Sequence, residues 1–234
     1  MDNNSIILDD RKAGLNAFYN RIYAIMGMGV LVSAVVAWIM IQFFAQNMIS
    51  ILQGGSFMFL LIWLIPMVLI FPMQKAAATN SPTALPLFIG FAALFGFLIS
   101  FTLLMYTTGT ISVAFLTASG MFFGLSAYGR VTKRELSGIG KAMMGALIGV
   151  IIASVVNFFI GSSALMFGLS FLSVIIFSIL IAWDNQKIAR VYDSVNGQVQ
   201  EGWAVSMALA LYLDFINLFL AILRIFGFAA GGRD

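Results

Sequence analysis

Apolar residues run along this chain in long blocks separated by short polar segments. The blocks fall at Ile22–Phe44, Phe57–Phe71, Leu85–Tyr106, Ile111–Tyr128, Ala142–Ile160, Ala164–Trp183 and Ala204–Phe226. A helix that crosses a bilayer needs about 20 predominantly apolar residues. The pattern therefore predicts an all-α membrane protein with seven transmembrane helices. The second block is short and carries Pro66, which predicts a kink. Ahead of the first block the chain is polar, with Asp9, Asp10, Arg11 and Lys12. Acids stand where a secretory signal would be basic, and the apolar run that follows is too long, so residues 1–21 are read as a cytoplasmic segment. Residues 22–228 read as one membrane domain and 229–234 as a short outside tail. Gly120–Gly124 and Gly145–Gly149 have the small-residue spacing that lets membrane helices approach, which predicts close packing of helices four and five.

Composition agrees. The 234 residues are 62% hydrophobic and 9% charged, with a mean hydropathy of +1.03. A soluble domain is nearer 25% charged. The chain cannot cover a globule with polar side chains, which excludes a soluble enzyme, a nucleic-acid binder and a disordered tail. It has no Cys and no His. Disulfide, thiolate and imidazole chemistry are thus absent, and no resident cofactor is expected.

Charge then orients the chain. Ten of the twelve Lys and Arg residues lie before the first block or after the second, fourth and sixth. Only Arg224 and Arg233 lie at the far end. The positive-inside rule places the N-terminus in the cytoplasm and the C-terminus outside. That parity needs an odd number of spans. It also accounts for the net charge of +3 without a nucleic-acid partner.

Two acids stand out. A charge at the bilayer centre costs about 2.5–3.5 kcal/mol on insertion scales, so an intramembrane acid is a functional suspect. Asp214 lies ten residues into the last block, about 15 Å along a helix. On a helical wheel Ser206, Ala210, Asp214, Asn217, Ala221 and Arg224 share one face. Phe215, Phe219, Ile222, Leu223 and Phe226 take the other, so the polar stripe should face a bundle interior or a water path. Asp214 reads either as a buried acid hydrogen-bonded to another helix or as an ion- or proton-handling group. Asp184 ends the sixth block and reads either as an interfacial acid paired with Lys187 or as a partner of Asp214. If the two meet, they share a proton and titrate as a pair. Deprotonated, the pair offers hard oxygens suited to Ca²⁺. Contact requires the sixth helix to extend past, or shift from, its apolar block, or a vestibule to reach inward.

The tail Ala-Leu-Tyr-Leu-Asp-Phe-Ile-Asn-Leu-Phe-Leu-Ala-Ile-Leu-Arg-Ile-Phe-Gly at 210–227 resembles the C-terminal signature of the transmembrane Bax inhibitor motif family, in its bacterial branch. Trp183-Asp184-Asn185-Gln186-Lys187 and the loop from Ser126 to Leu136 are similar to two further family segments. The resemblance implies six helices around a central C-terminal seventh. It also implies a pH-sensitive calcium leak across the bacterial cytoplasmic membrane, controlled by an aspartate pair that matches Asp184 and Asp214. Gln74 falls where a family member has a latching Arg, with Lys75 beside it as a substitute candidate. Asn217 and Ser206 supply the supporting polar stripe.

The leading expectation is a cation leak channel that handles calcium and protons. The alternatives are a non-transporting regulator that binds other membrane proteins, such as proteases, through the basic loop Arg130–Lys141, and a proton-coupled cation transporter. An enzyme is not expected. An intramembrane aspartyl protease would carry a Gly-x-Gly-Asp pattern, which neither acid has.

Overall fold

The structure is a computed structural model. It describes the backbone of residues 3–53 and 56–231, and the side chains of 10–53, 66 and 68–231. Arg233 of the charge tally and the side chain of Asp9 lie outside the described residues. Among these residues the chain forms seven α-helices: α1 Asn3–Gln53, α2 Ser56–Ala78, α3 Ala84–Leu103, α4 Thr108–Val131, α5 Ser137–Ile160, α6 Ser163–Ser194 and α7 Glu201–Gly231. The protein is an all-α membrane protein. Among the described residues six helices are long and apolar enough to cross a bilayer.

Two helices outrun their apolar blocks by ten residues or more. The segment read as a polar N-terminal region is helical and continuous with the first span, so α1 has 51 residues. Nothing stops it, since the chain's four prolines all fall between 66 and 86. At 1.5 Å per residue its length is about 75 Å, against a hydrocarbon core of about 30 Å. The second is α6, which continues ten residues past Asp184 to Ser194. Pro66 and Pro72 both lie inside α2, each removing one N–H from its ladder. The α5–α6 turn is tight. Gly161 takes a left-handed φ of 72°, and Ser162 N–H donates to Asn157 Oδ1 at 3.1 Å.

The chain divides into two compact units that share α6 and α7. The first comprises residues 1–107 and 192–212. Here α3 packs on both α1 and α2. Tyr212 is fully buried, with the rings of Phe88, Phe91 and Phe95 edge-on to it at 5.7–6.1 Å. Ser33 Oγ lies 2.7 Å from the Tyr212 hydroxyl, 2.8 Å from the Ala92 carbonyl and 2.9 Å from the Gly29 carbonyl. Serine has one hydrogen and both carbonyls only accept, so Tyr212 is the donor to Ser33. Three helices are thereby joined through one buried hydroxyl. At the surface of this unit Arg11 grips Asp193 with two bonds, at 2.9 and 2.7 Å. Arg21 donates to Glu201 at 2.9 Å.

The second unit comprises residues 108–191 and 213–234. Its close approaches do not use the expected glycine pairs. A Cβ placed on Gly120, Gly124, Gly145 or Gly149 meets nothing within 4 Å. The reason is that α5 is the most exposed span, with 11% of its apolar window enclosed. The backbones meet instead at Gly129, where an added Cβ would lie 2.2 Å from the Ala182 carbonyl oxygen, and α6 also meets α5 at Gly140, where one would lie 2.2 Å from the Trp183 ring.

Among the six described spans α7 is the most enclosed, with 72% of its apolar window buried. The wheel's division into an inner polar face and an outer apolar one does not hold. Phe215, Phe219, Ile222 and Leu223 are all buried, as is Asp214. Ser206, Ala210, Asn217 and Arg224 are only half-buried. A helix packed on every side needs its large residues for packing, not for lipid.

Candidate functional site: an acid pair on α6 and α7

Three neighbours fix α6 around Asp184. Ala182 rests against Gly129 of α4, and Trp183 lies against Gly140 of α5. Asn185, fully buried, donates to Ser126 Oγ at 3.0 Å and to the Ile181 carbonyl at 2.8 Å. Asp184 itself is half-buried. Because α6 runs on to Ser194, Asp184 is an interior helical residue, not a helix end.

On α7, Phe215 packs edge-on against Phe115 at 5.7 Å and Phe122 at 5.6 Å. Phe219 packs on Phe115 at 5.9 Å. These rings hold α7 against α4 with Asp214 buried. The structure brings the two acids together: the Asp184 and Asp214 side chains are within hydrogen-bonding reach of each other. Asp214 Oδ2 is buried and has no hydrogen-bond partner among the described residues. A buried acceptor left so costs about 1–3 kcal/mol. The charge of Lys187 also bears on Asp184. Its ammonium stands over the Trp183 ring, 5.6 Å from the centroid.

The other candidates lie elsewhere. Asn217 turns its amide onto its own helix, donating to the Leu213 carbonyl at 2.7 Å. Ser206 and Gln74 belong to the first unit. There the Ser206 hydroxyl donates to Gln74 Oε1 at 2.9 Å. Lys75 lies in the last turn of α2. No group of three or more acids gathers among the described residues.

Sequence reasoning gave no role to the residues that brace this site. Gln186 Nε2 donates to the Arg134 carbonyl at 2.7 Å, and its Oε1 accepts Leu136 N–H at 3.0 Å. Arg190 reaches Gln186, Ser137 and Glu135, the last at 2.6 Å. The Ser137 hydroxyl and N–H, with Arg190, hold the Glu135 carboxyl below its usual range. The available signal was two uncharged amides, Asn185 and Gln186, directly after a deep apolar block.

Long apolar helices with two acids meeting on α6 and α7 define a multi-span membrane protein with a polar site inside its helical packing. The family described as Inhibitor of apoptosis-promoting Bax1 matches residues 15–231, and the chain belongs to that Bax inhibitor family. It is similar to YrjE of Lactococcus lactis, 60% identical over the whole of both chains. An uncharacterized membrane protein of Streptococcus pyogenes serotype M3 is 49% identical over 96% of this chain and 98% of its own. The inner membrane protein YbhL of Escherichia coli K12 is 35% identical over 92% and 93%.

Proposed function

We propose that this protein is a pH-sensitive calcium leak channel of the bacterial cytoplasmic membrane, gated by the Asp184–Asp214 pair, with its N-terminus in the cytoplasm. The observation that carries the reading is the meeting of two acids at a position where Asp214 is buried. A hydrogen bond between two carboxyl groups needs a proton on one of them. The closed pair thus carries one proton and one negative charge. Removing that proton leaves two like charges in contact, which repel. The pair parts, and its oxygens become free for a cation. Rising pH opens or loads the site and falling pH closes it.

Calcium is cargo here, not a resident ion. Two carboxylates supply at most four oxygens, and Ca²⁺ takes about 6–8. Water and backbone carbonyls complete the shell of a passing ion. The Asp214 Oδ2 atom supports this role, because it is an acceptor that no donor among the described residues occupies. The half-buried state of Asp184 supports it too, since one member of the pair can be reached while the other stays enclosed. The reading of Gln74 and Lys75 as a latch draws on the family resemblance alone.

The test is Ca²⁺ flux into proteoliposomes measured at several pH values between about pH 6 and pH 8. Flux rises with pH in the native protein, and Asp214→Asn removes that rise. Flux that keeps both its size and its pH dependence in Asp214→Asn rules the mechanism out. Stoichiometric proton counter-flow would favour an exchanger instead.

A further inference from the structure

We infer that Gln186 and Arg190 are positioning residues that set the rotation of α6 and so hold Asp184 against Asp214. The inference rests on the reading of that pair as the working site. Ala182, Gln186 and Arg190 are spaced four apart and form one stripe along α6. Each touches the α4–α5 side. Ala182 lies against Gly129. Gln186 is bonded at both ends of its amide, to the Arg134 carbonyl and the Leu136 N–H. Arg190 bonds Gln186 and Ser137 and pairs with Glu135. The loop's own geometry is tied in, since Glu135 accepts Ser137 N–H at 3.2 Å.

Helical geometry makes the consequence specific. A residue two positions away lies about 200° round the axis. Asp184 stands two positions from both Ala182 and Gln186, so it points away from the stripe. Fixing the stripe on the α4–α5 loop therefore aims Asp184 at α7. Apolar contacts resist separation of helices but resist rotation poorly, because methyl and methylene contacts are non-directional. A carboxamide bonded at both ends is directional. Gln186 supplies the rotational lock that the apolar packing of α6 does not.

The natural absence of cysteine makes a direct test clean. Asp184→Cys with Asp214→Cys is made in the full chain, purified and placed in lipid nanodiscs. A short bis-methanethiosulfonate reagent then bridges the two thiols, and mass spectrometry reads the rate. Adding Gln186→Leu is expected to slow bridging several-fold. Leucine fills similar space without bonding, so a purely space-filling role would leave the rate alone. Gln186→Glu keeps the Oε1 acceptor for Leu136 N–H but gives up the donor to the Arg134 carbonyl, and is expected to recover only part of the native rate. Arg190→Met is a second probe that spares Gln186, with an expected rate between the two. Bridging as fast in both Gln186→Leu and Arg190→Met as with the native residues overturns the inference. So does failure to bridge when both are intact. Ca²⁺ flux of the native protein is measured in parallel: its absence would sink the leak reading and leave the bridging result standing.

Discussion

At the scale of single residues, the site separates into groups that act and groups that place them. The two acids were legible because a charge inside an apolar block costs free energy and calls for a reason. Their contact was not legible, because hydropathy ended the sixth block at Trp183 and put Asp184 at its edge. The buried amide next to it was less visible still. Asn185 is uncharged, so it raises no alarm in a scan for charges, yet it is fully buried. One of its amide hydrogens goes to Ser126 Oγ at 3.0 Å. Ser126→Ala removes one acceptor from a buried amide, at a cost of roughly 1–3 kcal/mol. The expected result is a lower melting temperature of the purified protein in detergent, with Ser126→Thr close to native. An unchanged melting temperature in Ser126→Ala would show that this bond carries no net stability.

At the scale of elements, the seven apolar blocks matched seven helices in number and order. Their lengths did not match, for a physical reason. Hydropathy marks what faces hydrocarbon, whereas a helix ends only where its backbone bonds end. Polar residues without a breaker extend α1 back to Asn3 and α6 on to Ser194. The glycine pairs show the same gap. Their spacing says that a face is smooth, not that another helix lies on it. Gly129 and Gly140 lack that spacing and nonetheless carry the close contacts around Asp184. Two alanine substitutions separate these cases. Gly129→Ala drives a methyl into the Ala182 backbone, which cannot rotate away, and should destabilise by about 1–3 kcal/mol. Gly145→Ala meets open space and should be neutral or stabilising by up to about 1 kcal/mol through helix propensity. Thermal unfolding of both in detergent checks the pair. Equal effects would mean that the α4–α6 contact is looser than described.

At the scale of the whole molecule, the strongest pattern is the placement of charge along the chain. Ten of twelve basic residues fall in alternate polar segments, and the segments between them hold none. Such alternation fixes the orientation of a multi-span protein because basic loops are retained on the cytoplasmic side. It also counts spans. With the N-terminus inside, seven crossings put the C-terminus outside, and six would return it to the cytoplasm. The helix on which the count turns is α2, whose apolar block Phe57–Phe71 is shorter than a span. A reporter fused after Gly231 decides the matter, and a second fusion in the basic segment at Arg134 provides the opposite sign. If α2 crosses, alkaline phosphatase is active at Gly231 and inactive at Arg134, while a fluorescent reporter that folds only in the cytoplasm shows the reverse. If α2 does not cross and the N-terminus stays in the cytoplasm, the pattern reverses: Arg134 lies outside and Gly231, three crossings further on, lies inside. That reversal removes the parity argument for seven spans and, with the basic segments outside, the charge rule as the source of orientation. The same fusions also decide which compartment's pH reaches Asp184, because the basic segment at Arg134 is bonded through Gln186 to α6 only two residues from that acid.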